Sequence, residues 1–419
     1  MGRPRKKRRN PAELAEGFVR SDADRAVPPC LHFGNCGGCS RQNLAYARQL
    51  EVKREQVVQA LHAAGLEAIP VPTPLASPDL FRYRNRMEFS FGARRWLTEA
   101  EIASGAEFRR DFALGLHPPG FFGRVIDIGD CALIDGEANA VLTHVRAFAE
   151  LSGLLPYDAV THEGFWRYLS VRRGARTGET LVTIVTRARS AQTMRSLAAF
   201  LRDRLPFVTT VVNGVTDRIA DTSEGASYIV DLGPGVITDR AAGLTFEISA
   251  DSFFQPNTRA AETIFAEALR QAGAVADLRV VDLFCGTGTL GLAFAQTARE
   301  VHGYELNPAS VACARRNAAR NGLANARFDV LDLSTGRLEL GGPPDVLVTD
   351  PPRAGMSEKL LDAILELAPP TIVSVGCNPE SQARNLARLT AGGYSITALQ
   401  PVDQFPHTPH IEVVATLRK

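Results

Sequence analysis

The chain has 419 residues, enough for two or three domains with sizeable cores, which excludes a small fold held together by staples. Its 47 Lys+Arg against 46 Asp+Glu leave a net charge of +1, so the protein as a whole is no polycation and any nucleic-acid surface must be local. No stretch is long and apolar enough to cross a membrane, and no apolar run follows the first residues as in a secretory signal. Cys285, Cys313 and Cys377 as free thiols fit a reducing cytoplasm, and a cytoplasmic location and a monomer are expected.

Residues 2–9 pack six cations into eight positions. Residues 1–29 read as a basic tail, either solvated and disordered or drawn to RNA phosphates without sequence preference. Seven cysteines at uneven spacing do not suggest a disulfide framework. Cys30, Cys36 and Cys39 share a glycine-rich loop, Cys131 follows in Asp127-Ile128-Gly129-Asp130-Cys131, and the four together suit an iron-sulfur cluster or a structural zinc. Leu44, Ala47, Leu50, Val57, Val58 and Leu61 recur at helical spacing over 43–65, between Asn43 as cap and Gly65 as stop. The prolines at 70–78 then read as a linker and domain seam, closing a cysteine-rich segment at 30–78.

A central domain at 79–248 is expected to be α+β and mostly antiparallel, with short alternating runs at 83–91, 125–128, 168–172, 180–185 and 228–231 and helices at 137–151 and 191–201. Its run Arg82-Tyr83-Arg84-Asn85-Arg86 is either a solvated strand face or an RNA contact. Residues 249–419 read as an α/β domain, a doubly wound parallel sheet. Buried-strand candidates lie at 279–284, 301–305, 326–330, 346–349 and 371–375, and helical patterns separate all but the third from the fourth.

Asp282-Leu283-Phe284-Cys285-Gly286-Thr287-Gly288-Thr289-Leu290-Gly291 leaves the first of these strands and opens a helix, which suits a nucleotide cofactor on backbone N–H groups. Glu305 ends the next strand, where a carboxylate can accept from ribose hydroxyls of NAD or S-adenosylmethionine. Asp350-Pro351-Pro352-Arg353 follows the fourth strand; a rigid acidic turn is a poor neighbour for a pyrophosphate and a good one for a cationic sulfonium. Further on, Cys377 in Val375-Gly376-Cys377-Asn378-Pro379 and Glu412 pair as nucleophile and general base. Taken in isolation they would be a buried cysteine after a strand and a surface glutamate. Cys285 and Cys313 read as packing residues, and His407 and His410 as structural.

Gln255 in Ser252-Phe253-Phe254-Gln255-Pro256-Asn257-Thr258, the Asp-Leu-Phe-Cys-Gly loop, Asp350 to Arg353, Cys377-Asn378-Pro379 and Phe405-Pro406-His407-Thr408 to Glu412 occur in one order. Together they resemble the RNA 5-methyluridine methyltransferases, nearly throughout the chain after the tail. The resemblance implies a Rossmann-like S-adenosylmethionine-dependent domain, Cys377 as nucleophile on uracil carbon 6 and Glu412 as the base that takes the carbon 5 proton. It implies Gln255, Phe284, Thr289, Glu305, Asp332 and Asp350 as cofactor contacts, and Arg353 as a hold on the RNA or target base. The four-cysteine set is similar to that of the ribosomal RNA branch, in which such cysteines hold a [4Fe-4S] cluster, so 23S rRNA with a looped or flipped-out uridine is the implied partner. Many relatives in that branch begin with a β-barrel, for which the 29 residues before Cys30 leave no room, and the target site is not carried over. Gln404 stands where the family usually has methionine, and little effect is expected. Three other readings stay open: the same reaction on tRNA, an NAD-linked oxidoreductase with an iron-sulfur centre, and a non-catalytic iron-sulfur RNA-binding assembly factor.

Overall fold

The fold is that of a computed structural model, which describes residues 11–219, 226–338 and 340–419. The basic run at 2–9 lies outside the described residues. The chain divides into two compact units, one formed by residues up to Tyr46 with Leu80–Asp239 and Ser249–Asp251, the other by Ala47–Asp79, Arg240–Ile248 and Ser252–Lys419. Among the described residues no helix is long and apolar enough to cross a membrane.

Residues 11–29 are not the featureless tail that composition suggests. They form α1 (Pro11–Glu16) and a 3-10 turn at Asp22–Asp24, and Arg25 returns to Glu16 at 2.7 Å. The helix expected over 43–65 is α2 (Tyr46–Ala63), but it belongs to the second unit, so a cysteine-rich domain at 30–78 does not exist as one body. The reason is burial. Val57, Ala60 and Leu61 of α2 join the core around Ile411 and Leu399, and Lys53, wholly buried, meets the equally buried Asp403 at 2.5 Å. The proline stretch is likewise no free linker, since Leu75 bridges Val402 in parallel and Val71 is buried.

The first unit continues through β1 (Arg86–Gly92), β2 (Arg95–Trp96), α3 (Glu99–Ser104), β3 (Ala113–Leu116), β4 (Val125–Asp127), α4 (Gly136–Leu151), β5 (Trp166–Arg173), β6 (Thr180–Thr186), α5 (Ala191–Arg204), β7 (Val208–Val215) and β8 (Ser227–Leu232). One sheet in the order β2-β4-β3-β1-β5-β6-β7-β8 results, antiparallel except for β2 with β4 and β6 with β7. Its inner face, with Phe89, Leu114, Trp166 and Val182, packs on Val141 and Val145 of α4 and Leu197 and Leu201 of α5. The Arg82 to Arg86 run is not a strand face: β1 starts only at Arg86, and Arg82 adopts a φ of 56°. Its guanidinium donates to the carbonyls of Cys131 (2.9 Å) and Ile134 (2.8 Å) and pairs with Asp130, so it holds the Cys131 loop.

A hairpin of β9 (Val236–Ala241) and β10 (Leu244–Ser249) leads to α6 (Thr258–Ala272), β11 (Arg279–Leu283), α7 (Thr289–Ala295), β12 (Glu300–Glu305), α8 (Pro308–Arg320), β13 (Ala326–Val330), β14 (Val346–Thr349), α9 (Glu358–Leu367), β15 (Thr371–Gly376), α10 (Pro379–Ala391), β16 (Ser395–Val402) and β17 (Glu412–Arg418). The seven strands order as β13-β12-β11-β14-β15-β17-β16; the first five run parallel, and β17 inserts antiparallel to both its neighbours. Among the described residues only a 3-10 turn, Leu333–Thr335, stands between β13 and β14, as the spacing anticipates. Continuous apolar strands such as Val346-Leu347-Val348 suit a sheet covered on both faces, because every side chain is then buried.

Candidate active site

Parallel strands end together. Leu283 pairs with Tyr304 and with Thr349, and Thr349 with Ser374, so Phe284, Glu305, Asp350 and Cys377 all leave the carboxyl edge of one sheet, where ligands of open α/β folds bind. Cys377 sits between β15 and α10. Asn378 caps α10 by accepting from the Glu380 N–H (3.2 Å), and Pro379 fills the first helical position without missing a donor, so Cys-Asn-Pro is a strand, a turn and a helix start in three residues.

Glu412 reaches the same place from the other direction. Gly376, the last residue of β15, pairs with Val413 across the antiparallel β15–β17 ladder, so Cys377 and Glu412 follow at the end of that ladder, and the Glu412 charge acts on the Cys377 thiol. Gln382 locks the register by donating to the carbonyls of Ser374 (3.1 Å) and Val413 (2.9 Å). Gly376 is needed there, because a Cβ would stand 2.8 Å from the Gln382 side chain. Glu412 is buried rather than on the surface, and burial, with Asp350 adding to it, pushes its carboxyl well above the usual range. Burial pushes Asp350 up to about 7 and the Cys377 thiol up to about 11, the latter helped by Glu412 and Asp350 and opposed by Arg353. Asp282 is raised by burial and then by Asp350. A pocket of crowded carboxyls favours a cation, and it keeps the thiol protonated while no cation is present.

Cys377 opens onto a cavity of about 500 Å³ shared with Arg353, Arg384 and His410 and, from α2, Gln59 and Ala63. His410 accepts from Arg353 (3.1 Å), while the Arg353 carbonyl accepts from Asn378 and Ser381, so His410 orients a cavity residue as well as shaping the loop. His407 is structural, exchanging contacts with Gln49 at 2.9 and 3.2 Å. Neither the α2 wall nor Gln382 carries a motif, and sequence reasoning missed both.

The glycine loop turns through positive φ at Phe284, Gly286 and Gly288. Glu305 accepts from the N–H groups of Gly286 (3.2 Å) and Asn307 (2.9 Å), which ties the loop to the end of β12. The Thr287 hydroxyl donates to the Phe253 carbonyl (2.9 Å), drawing in the segment that carries Gln255. Thr289 is buried at the start of α7, and Asp332 caps the 3-10 turn through Ser334. Cys285 and Cys313 are buried, the latter donating to the Glu247 carbonyl, as packing residues would be. Gln404 is not inconsequential: fully buried, its Nε2 donates to Gln255 Oε1 at 2.6 Å.

In the first unit, Cys30, Cys36, Cys39 and Cys131 line one cavity of about 360 Å³, and none is in a disulfide. Burial pushes the thiols of Cys36 and Cys39 up to about 12 and raises that of Cys131; charge on Cys30 and Cys131 adds to the shift at Cys36 and Cys39, and charge on Cys30 to that at Cys131. Among the described residues no three His, Cys, Asp or Glu side chains close on a single metal ion. Four thiols lining one cavity are a donor set that an iron-sulfur cluster or a zinc would take, and the Gly38 N–H donates to the Cys36 sulfur (3.3 Å).

The chain is 40% identical over 409 residues to an uncharacterised RNA methyltransferase of Chlorobaculum tepidum, an alignment covering 96% of this chain and 85% of that one. It belongs to the RNA methyltransferase family. An RNA methyltransferase of Caldanaerobacter subterraneus is 38% identical over 418 residues, covering 99% and 89% of the two chains. Residues 274–384 of this RNA methyltransferase match a family described as a methyltransferase domain. Its fold resembles the crystal structure of the Pyrococcus abyssi tRNA (uracil-54, C5)-methyltransferase in complex with S-adenosyl-L-homocysteine, with a TM-score of 0.72, 27% identity, and 92% of this chain and 86% of that one covered. An S-adenosylmethionine-dependent RNA methyltransferase leaves no place for an oxidoreductase or a non-catalytic assembly factor.

The raised carboxyls make stability depend on pH. Between 3.8 and about 7 the unfolded chain has released the Asp350 proton and the folded chain retains it, so stability falls as pH rises through that window and levels above it. The melting temperature of the ligand-free protein is expected to be lower at about pH 8 than at about pH 5, and Asp350→Asn to flatten part of that slope. A variant with the full wild-type slope would remove Asp350 from this role.

Proposed function

We propose that this RNA methyltransferase methylates carbon 5 of a uridine in 23S rRNA through a covalent bond between Cys377 and carbon 6 of the ring. The observation that carries the reading is the end of the β15–β17 ladder, where a partly exposed thiol that lines a cavity lies within the field of a buried carboxyl. Carbon 5 of uracil is a weak nucleophile, whereas carbon 6 is electrophilic through conjugation with the carbonyl at carbon 4. Attack by the Cys377 thiolate at carbon 6 therefore moves electron density to carbon 5. S-adenosylmethionine, when bound, would supply the methyl group that carbon 5 takes, its sulfonium–methyl bond breaking to leave S-adenosylhomocysteine, with Gln255, Phe284, Thr289, Glu305, Asp332 and Asp350 as its contacts. Glu412 then removes the hydrogen of carbon 5, the electron pair reforms the ring double bond, and the carbon 6–sulfur bond breaks to release Cys377.

Glu412 suits this work because a carboxylate whose affinity for a proton is raised by burial is a stronger base than an ordinary one. The thiol stays protonated until positive charge beside Asp350 counters the carboxylate field, which guards it against wasteful reaction. Stacked, paired uridine exposes neither carbon, so the base must enter from a loop or be flipped out; the cavity beside Cys377 has room for it, with Arg353 holding RNA phosphate or base. In the first unit Cys30, Cys36, Cys39 and Cys131 would hold a [4Fe-4S] cluster as a structural or RNA-facing scaffold, with no part in the transfer. A tRNA target is the second reading, favoured by the likeness to the P. abyssi enzyme.

Ribosomal RNA and tRNA from a strain lacking the gene, incubated separately with methyl-labelled S-adenosylmethionine, test the assignment. Label is expected as 5-methyluridine at one position of 23S rRNA, with Cys377→Ser slower by roughly three orders of magnitude or more and Glu412→Gln transferring methyl but failing to release the RNA. Label confined to tRNA would favour the second reading, and label at another atom of the base would refute both. Protein purified without air is expected to absorb visible light and carry about four irons per chain; stoichiometric zinc would overturn the cluster.

A further inference from the structure

The Gln404 side chain is completely buried, yet its Oε1 has no hydrogen-bond partner. An unpaired buried oxygen is destabilising, so a residue of this kind is explained where its other half is needed. That half is Nε2, 2.6 Å from Gln255 Oε1. The backbone around Gln404 is anchored independently. Asp403 next to it forms the buried pair with Lys53 and accepts from the Phe405 N–H (3.1 Å), and Lys53 also donates to the Phe405 carbonyl (2.9 Å). The Gln404 carbonyl accepts from Asn257 (3.0 Å), the residue that caps α6 through the Ala260 N–H. Side chain and backbone of one glutamine therefore grip positions 255 and 257 of the same segment. The Thr287 hydroxyl grips that segment at Phe253.

We propose that Gln404 is a positioning residue for S-adenosylmethionine: it fixes the amide orientation of Gln255, and with it the polar face Gln255 offers to the cofactor. The proposal rests on Gln255 as a cofactor contact. An amide with two nearly isosteric ends presents a donor or an acceptor according to how it is turned, and an uncommitted amide loses rotational freedom and part of its population on binding. A hydrogen bond from a buried, immobile donor removes that loss in advance.

Calorimetric titration of S-adenosylhomocysteine into wild type, Gln404→Met, Gln255→Ala and the double variant tests this. Gln404→Met fills similar volume and removes the orphaned oxygen, so its melting temperature is expected not to fall, whereas its affinity for S-adenosylhomocysteine falls about fivefold, the scale of one neutral hydrogen bond. KM for RNA should stay unchanged. In the Gln255→Ala background Gln404→Met is expected to add no further loss. Wild-type affinity in Gln404→Met, or a loss that adds fully to that of Gln255→Ala, would overturn the proposal. Should methionine not be accommodated, Gln404→Leu replaces it with the same expectations. Wild-type binding with an indifferent Gln255→Ala would sink the cofactor contact at Gln255, and binding to no variant or wild type would sink the cofactor itself.

Discussion

The reaction centre depends on one antiparallel ladder. In a wholly parallel sheet each strand delivers residues to the carboxyl edge only at its own end. Inserting β17 against β15 brings a strand that starts at that edge, and its first residue, Glu412, arrives opposite the turn that leaves β15. A slip of one residue would send Glu412 to the other face of the sheet, because strand side chains alternate. Gln382 prevents the slip by bonding to both strands, and the absence of a side chain at Gly376 allows it to come close enough.

The approach to β17 is guarded from the opposite side of the chain by α2. Lys53 and Asp403 are both withdrawn from water, and removing one partner of such a pair typically costs about 3–5 kcal/mol because the other is left as an unpaired buried charge. A stretch that composition assigns to an N-terminal accessory segment is thus part of the frame of the methyltransferase unit, and the same helix forms a wall of the cavity beside Cys377. Electrostatics works in the same direction as geometry: Asp350 raises the proton affinity of both Asp282 and Glu412, the mark of buried carboxyls held close together, and such a group favours a cationic ligand.

Much of this was legible in the residues. The parallel strands could be read because fully buried strands are continuous apolar runs, and the Cys-Asn-Pro turn because cap chemistry is local. The convergence of Cys131 on the cysteine loop was expected from residue type, and the cavity brings all four together. What stayed hidden depends on partners distant in sequence. The short β3 and the long β7 show little alternation because nearly every residue is buried, and the Arg82 run carries no sign that the Arg82 guanidinium binds the carbonyls of the Cys131 loop, about fifty positions on. Lys53 carries no signal of its burial in the sequence, since nothing nearby announces Asp403. Gln404 looked neutral for the same reason, its partner lying 149 positions away.

The central claim is a sulfur–carbon bond between Cys377 and the uracil ring. RNA in which the target uridine carries fluorine at carbon 5 has no proton for Glu412 to remove, so after methyl transfer the enzyme cannot let go. Mass spectrometry of the denatured, digested mixture is predicted to find a fluorinated, methylated nucleotide on the peptide containing Cys377 and on no other. Full methylation of ordinary RNA with no such adduct from the fluorinated one, or an adduct at Cys285 instead, would contradict the account.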